Sequence, residues 1–202
     1  MQLFLYYARQ TMPAPRERYF LQNSRLSPMC NSTKQKIAST MHEMMTRKSF
    51  EKITVKNLMD VTNMNRQSFY YHFRDTRDVL SYICQERIFQ PLADADMEFS
   101  EWIIYGLELL DQDRQFYLRV VTVSQTDFVR EFIETAVFAR IKSIFYPEVD
   151  HLGENQTFAV NFLSNAIVDY YLRFLASHEP LDHADCRKKL RFLLAEVIHT
   201  KN

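Results

Sequence analysis

Glycine is nearly absent: Gly106 and Gly153 are the only two in 202 residues. One isolated glycine cannot build a G-x-G-x-x-G or Walker loop, so the Gly-rich phosphate cradles are excluded. The shortage also argues against a sheet-rich fold joined by many tight turns, which need positive φ. Cysteine is scarce as well. Cys30, Cys84 and Cys186 lie far apart and form no C-x-x-C. An odd, scattered count fits a reducing compartment better than a disulfide framework. No apolar run approaches the roughly 20 residues that a spanning helix needs. The apolar stretch at residues 1–8 has no basic region before it and no small-residue cleavage site. The expectation is a cytoplasmic protein with no membrane partner. Net charge is missing too, with 25 Lys/Arg against 25 Asp/Glu. Taken whole, a zero balance argues against a nucleic-acid binder, which is expected to be basic.

That zero is a cancellation. Residues 1–77 hold 13 Lys/Arg and 5 Asp/Glu, and residues 78–202 hold 12 and 20. The chain is therefore basic at one end and acidic at the other, an asymmetry that points to a nucleic-acid-binding end. Residues 1–28, with Pro13, Pro15 and Pro28 and no helical period, read as a flexible basic leader or a mis-assigned start. Residues 29–77 remain basic without them, at nine Lys/Arg against four Asp/Glu.

From Thr33 onward the pattern is helical. Ile37, Met41, Met44 and Met45 share one helix face, with Ser32 or Thr33 as the N-cap. A short helix follows Thr54, weakly capped by Asn57, and ends at Asn63, a residue tolerant of left-handed geometry. A third helix spans about 65–71. A fourth runs from about Thr76 to Phe89 and is ended by Pro91. Five longer helices follow, at roughly 97–111, 113–123, 126–146, 155–177 and 183–199. The fold class is all-α: a helix-turn-helix domain over 29–77, joined by the fourth helix to a helical regulatory and dimerisation domain over 78–202.

Two short helices separated by a three- or four-residue turn, the second rich in polar side chains, describe a helix-turn-helix. The second must place its N-terminal residues in the major groove. Here these are Asn65, Arg66, Gln67 and Ser68. Arg can donate two bonds to guanine, and Gln can pair with adenine. Tyr70, Tyr71 and His72 come next and are able to bond phosphate oxygens. Phe69 and Phe73 read as core.

Ile37-Ala38, Phe50 to Val55, Val61, the string Ser68-Phe69-Tyr70-Tyr71-His72-Phe73-Arg74-Asp75, and Val79-Leu80 together resemble the TetR family of bacterial transcriptional regulators. The resemblance covers residues 33–80, about a quarter of the chain. It implies a homodimer on a near-palindromic DNA operator. It implies a phosphate contact at Thr54, base reading by Arg66, Gln67 and Tyr70, and backbone contacts from Asn65, Ser68, Tyr71 and His72. Lys56 and Arg74 complete the expected DNA-binding set. The chain departs from the family's pattern at Asn63, often Gly, and at Thr76, usually a phosphate-binding Lys; Arg74 or Arg77 can supply that charge.

The C-terminal part, through Tyr170 to Leu175 and Ser177 to Asp182, is similar to the subgroup of dihydroxyacetone kinase operon regulators. Trp102, Tyr105, Phe116, Tyr117, Phe138 and Tyr170 are candidates to line an effector pocket; the competing reading is packed core. Phe162, Ala166, Tyr170, Phe174, Leu190, Leu194 and Val197 are expected at a dimer interface, because the last two helices carry broad apolar stripes. The metal-capable group His178, Asp182, His183, Asp185 and Cys186 reads as helix capping, so no metal and no cofactor is expected. Cys84 reads as inert core. No nucleophile elbow is present, and no enzyme activity is expected. The regulator is expected to answer to a small-molecule or protein effector acting on the C-terminal part. The alternative is an interaction module of the same fold that no longer reads an operator. Repression and activation both remain open.

Overall fold

The computed structural model describes residues 28–122, 127–177 and 179–195. Every regular element among them is helical. The first helix, α1 (Pro28–Arg47), starts five residues before the expected Thr33, so Ser32 and Thr33 lie within it. Proline is tolerated at a first helical position, where its missing N–H would have no partner in any case. Ile37, Met41 and Met45 recur every fourth residue along α1 and are fully buried.

After a single 3₁₀ turn at Phe50–Lys52 comes α2 (Val55–Thr62). Thr54 caps it through a reciprocal box. Its Oγ1 accepts from the Asn57 N–H at 3.2 Å, and Asn57 Oδ1 accepts from the Thr54 N–H at 3.1 Å. Two otherwise unpaired donors are thereby satisfied. Asn63 ends α2 at φ 54, ψ 42, the left-handed conformation expected of it. The short helix α3 (Arg66–His72) follows, and α1, α2 and α3 pack as one N-terminal cluster.

Helix α4 (Thr76–Cys84) packs on α1 and leads away from this cluster. Pro91 does not end the helical run. The chain widens into a π-helical segment, Gln85–Phe89, in which the Gln90 N–H reaches back to the Gln85 carbonyl. It then continues as α5 (Gln90–Asp94), with Pro91 in its first turn. The wide turn shifts the hydrogen-bond register just ahead of the proline, so the missing N–H falls where a new first turn needs none.

The C-terminal bundle comprises α6 (Phe99–Asp111), α7 (Arg114–Val121), α8 (Asp127–Phe145), α9 (Glu154–Ala176) and α10 (His183–Leu193). The hairpin of α8 and α9 is its most extensive pairing; α6 packs on α9 and α10, and α7 reaches back to α1. Residues from Ile37 to Leu190 share one continuous apolar core. The buried Trp102 donates from Nε1 to the Leu92 carbonyl at 2.9 Å. Gly106 lets α9 approach α6, where Tyr171 donates to the Ile103 carbonyl at 3.0 Å. No helix among the described residues is long and apolar enough to cross a membrane. Of the expected leader at 1–28, residue Pro28 begins α1 and 1–27 lie outside the described residues, as do Val197 and the rest of the chain from 196.

Candidate nucleic-acid interface

The geometry of α3 follows from its two ends. Asn63 turns the chain sharply after α2, and Asn65 then caps α3 by accepting from the Ser68 N–H at 2.7 Å. Phe69 on the inner side is fully buried and Phe73 nearly so. With these two rings anchored, Arg66, Gln67, Tyr70 and Tyr71 are left exposed. Tyr70 and Tyr71 are 59% and 73% exposed, their rings packed edge-on against Phe69 and His72 respectively. Ser68 and His72 are half-buried at the flanks. The six polar side chains thus sit on one short ridge rather than being spread through the chain.

Thr54 and Lys56 are exposed at the start of α2. At the start of α4, Asp75 caps the helix by accepting from the Asp78 N–H at 2.9 Å, and Asp78 accepts from the Arg74 N–H at 3.0 Å. Thr76, where the family's lysine is expected, is half-buried. Arg74 and Arg77 are exposed on either side of it. The cationic groups at this corner are therefore arginines flanking the position.

Sequence reasoning missed the support beneath the ridge. Lys34 is buried, with its ammonium 4.4 Å above the Tyr82 ring and 5.5 Å from that of Phe73. A cation over an aromatic face is attracted by the ring's quadrupole. Burial, and then the Lys34 charge, hold the His72 imidazole below its ordinary pKa. Burial, with a contribution from Glu86, pushes the Tyr82 phenol up to about 12. Lys36 closes the end of α2 by donating to the Thr62 carbonyl at 3.2 Å. A lysine on an amphipathic helix is read as solvent-facing by default, so neither role carries a sequence signal.

The expected effector residues are not gathered around one space. Trp102, Phe116 and Tyr117 are buried core, Tyr105 and Phe138 are half-buried, and Tyr170 is exposed. A small apolar crevice does lie between the π-helical segment, α6, α8 and α9, lined by Ile88, Leu92, Leu110, Ile133, Val137 and Tyr171 among others. It encloses ≈ 10 Å³ and none of the six residues lines it. That is about the space of one water, far below a ligand pocket.

The expected interface residues divide. Phe162, Ala166 and Tyr170 lie on the outer face of α9, and Phe158 extends their spacing of four by one turn. Phe174 instead lies beneath the Arg114 guanidinium, 4.1 Å from its ring. Leu190 is buried against the chain's own core, and Leu194 is half-buried beside it. Phe192 and Leu193 are the exposed apolar groups of α10. Of the metal-capable group, Asp182 caps α10 and His183 pairs with Glu108 at 3.0 Å. Asp185 pairs with Lys189, and Cys186 Sγ lies 3.4 Å from the Tyr170 hydroxyl. His178 is outside the described residues. The Cys84 thiol is fully buried and pushed up to about 12, which makes it a poor nucleophile.

No protein-family model matches the chain. It is 25% identical over 96 residues to the HTH-type dhaKLM operon transcriptional activator DhaS of Lactococcus lactis subsp. lactis (strain IL1403), an alignment spanning 46% of this chain and 51% of that protein. The chain thus spans about half the length of this curated relative. Among solved structures, the dihydroxyacetone kinase operon activator DhaS superposes with a TM-score of 0.62 at 20% identity, over 82% of this chain and 96% of that one. A TetR transcriptional regulator from Streptococcus agalactiae 2603V gives 0.60 at 20% identity, over 84% and 95%. The architecture is the all-α fold of TetR-type regulators.

Proposed function

We propose that the chain is a sequence-specific DNA-binding transcriptional regulator. It would sit as a homodimer on a near-palindromic operator, with residues 29–77 as the reading domain and 78–202 as the regulatory and dimerisation domain. The carrying observation is the ridge on α3: Arg66, Gln67, Tyr70 and Tyr71 exposed together, on a helix held at both ends by caps and from below by Phe69. Arg66 and Gln67, at the first two positions of α3, are placed to read base edges. Tyr71, His72, Thr54, Lys56 and Arg74 are assigned to the phosphates. We assign the same kind of target that the names of the DhaS proteins give, an operon for dihydroxyacetone kinase, and activation in preference to repression.

The experiment is selection of bound sites from random duplex DNA by the full-length chain, followed by gel shifts on the DNA upstream of its own gene. A palindromic consensus with half-sites about 34–36 Å apart, or somewhat more, is the expected result. In that assay Arg66→Ala should cost about 1–3 kcal/mol and relax the preference at one base pair per half-site. Equal loss on specific and random DNA would remove Arg66 from base reading. Absence of any selected sequence would favour the alternative, an interaction module that scaffolds another regulator. An effector, small molecule or protein, would act on the C-terminal domain; a small molecule would have to open the crevice.

A further inference from the structure

The chain gives up local stability at two places. Asp113 stands at the N-cap of α7, yet its side chain makes no capping bond. An aspartate that caps there contributes about 1 kcal/mol. Gln85–Phe89 winds as a π-helix, a rare form found frequently at functional sites. Both features lead into one cluster. Nε2 of His42, on α1, donates to Oδ2 of Asp113. Arg87, from the π-helical segment, donates from Nη1 to the same oxygen at 3.2 Å. Arg87 Nη1 also lies 3.1 Å from His42 Nε2, so the three groups are in mutual contact.

The surroundings make this more than a surface ion pair. The His42 ring packs on Phe116 of α7 with centroids 4.5 Å apart, and Phe116 is fully buried. The side chains of His42 and Asp113 are only 16% and 24% exposed. The neighbouring Tyr117 hydroxyl and Cys84 thiol are both raised by burial, so they stay neutral and compete for neither charge. Three elements therefore meet at one carboxylate oxygen: α1 from the reading end, the connecting helix, and the start of α7 in the bundle.

We propose that His42, Asp113 and Arg87 form a clasp that fixes the angle of the reading domain on the C-terminal bundle and passes movement of either to the other. Its DNA-binding consequence rests on the function proposed above; its geometric consequence does not. The capping bond that Asp113 forgoes is the local sign that this carboxylate is placed for a tertiary partner. The three are positioning residues, remote from the face that meets DNA.

The test places spin labels at Glu51→Cys and Asp150→Cys, both exposed, in a Cys30→Ser background, the other two cysteines being buried. The labelled full-length chain is diluted with unlabelled chain, so that distances within one chain are read by pulsed electron resonance. The parent should give one narrow distance. Asp113→Asn and Arg87→Gln should each broaden or shift it and weaken binding to the selected DNA site roughly 5-fold or more. Asp113→Glu should retain both properties. In Asp113→Asn a capping bond to α7 should offset only part of the stability lost with the ion pair, so the melting temperature should fall modestly. Arg87→Gln alters a half-exposed side chain and serves as the second variant should the first not fold. Unchanged distances in both variants overturn the clasp, as does weakened binding with unchanged distances. Shifted distances in a chain that binds no DNA leave the clasp standing and remove the DNA-binding reading instead.

Discussion

Gly106 and Tyr171 show how far a single atom can decide the packing of this chain. A Cβ built on Gly106 would stand 2.7 Å from the Tyr171 Cζ and nearer still to its hydroxyl. That ring is fully buried, and its hydroxyl is tied to the Ile103 carbonyl, so it has no route aside. Gly106→Ala should destabilise the fold by about 1–3 kcal/mol through overpacking, more if the hydrogen bond is also lost. Removing the hydroxyl makes room, so the double variant with Tyr171→Phe should recover part of the loss. Urea unfolding of the two single variants and the double variant checks this; additive losses would show that the two residues do not meet. The same scale explains why the sequence leaves pocket and core open. Helical spacing says that Trp102, Phe116 and Tyr117 face inward, but a buried ring and a pocket-lining ring have the same period. Only the packing, with Trp102 bonded to Leu92 and Phe116 against His42, separates them.

At the scale of the element, helix ends were more legible than helix interiors. Thr54, Asn63 and Asp182 are read from residue type alone, because a cap needs a short polar side chain at one place. Each performs the capping or terminating role expected of it. Asn65, expected only as a DNA contact, also caps its helix, and the expected caps Ser32 and Thr33 fall inside α1. Pro91 was misread because proline normally stops a helix, whereas a π-turn just before it re-phases the hydrogen bonds. The clasp was invisible for another reason. His42, Arg87 and Asp113 are far apart in sequence and each sits on a polar helix face, where the default expectation is solvent. Asn63 offers a direct test of an end signal. At φ 54, a side chain with a branched Cβ meets the steric cost of left-handed backbone, roughly 1–2 kcal/mol, whereas glycine meets none. Asn63→Val should lower the free energy of unfolding by about that amount, and Asn63→Gly should leave it nearly unchanged. A loss in the Gly variant equal to that in the Val variant would mean that Asn63 acts through its amide rather than its backbone.

Across the whole molecule, α9 is apolar on two sides. Val160, Val168, Tyr171 and Leu175 face the chain's own core, while Phe158, Phe162, Ala166 and Tyr170 recur every fourth residue along the other face. Phe158 and Phe162 are 71% and 66% exposed and stack on each other with ring centroids 6.1 Å apart. On α10, Phe192 is 68% exposed. An exposed apolar stripe running along one helix face is the kind of surface that partners cover. A second copy is the economical occupant, since a two-fold axis lets the stripe cover itself. On the proposed function, charge sorting would act with it: the acidic residues 78–202 would repel DNA and turn the basic end toward it. If the operator is held by both ridges at once, losing the dimer removes the intramolecular second contact, and avidity falls by about 10²-fold or more. Phe162→Glu puts a carboxylate in the middle of the stripe without touching the core, so the monomer should stay folded. Sedimentation equilibrium should then show a single chain where the parent shows two. Titration of a duplex carrying both half-sites should weaken by that factor, and titration of a single half-site should hardly change. A variant that remains dimeric and binds both duplexes as the parent does would place the partner surface elsewhere.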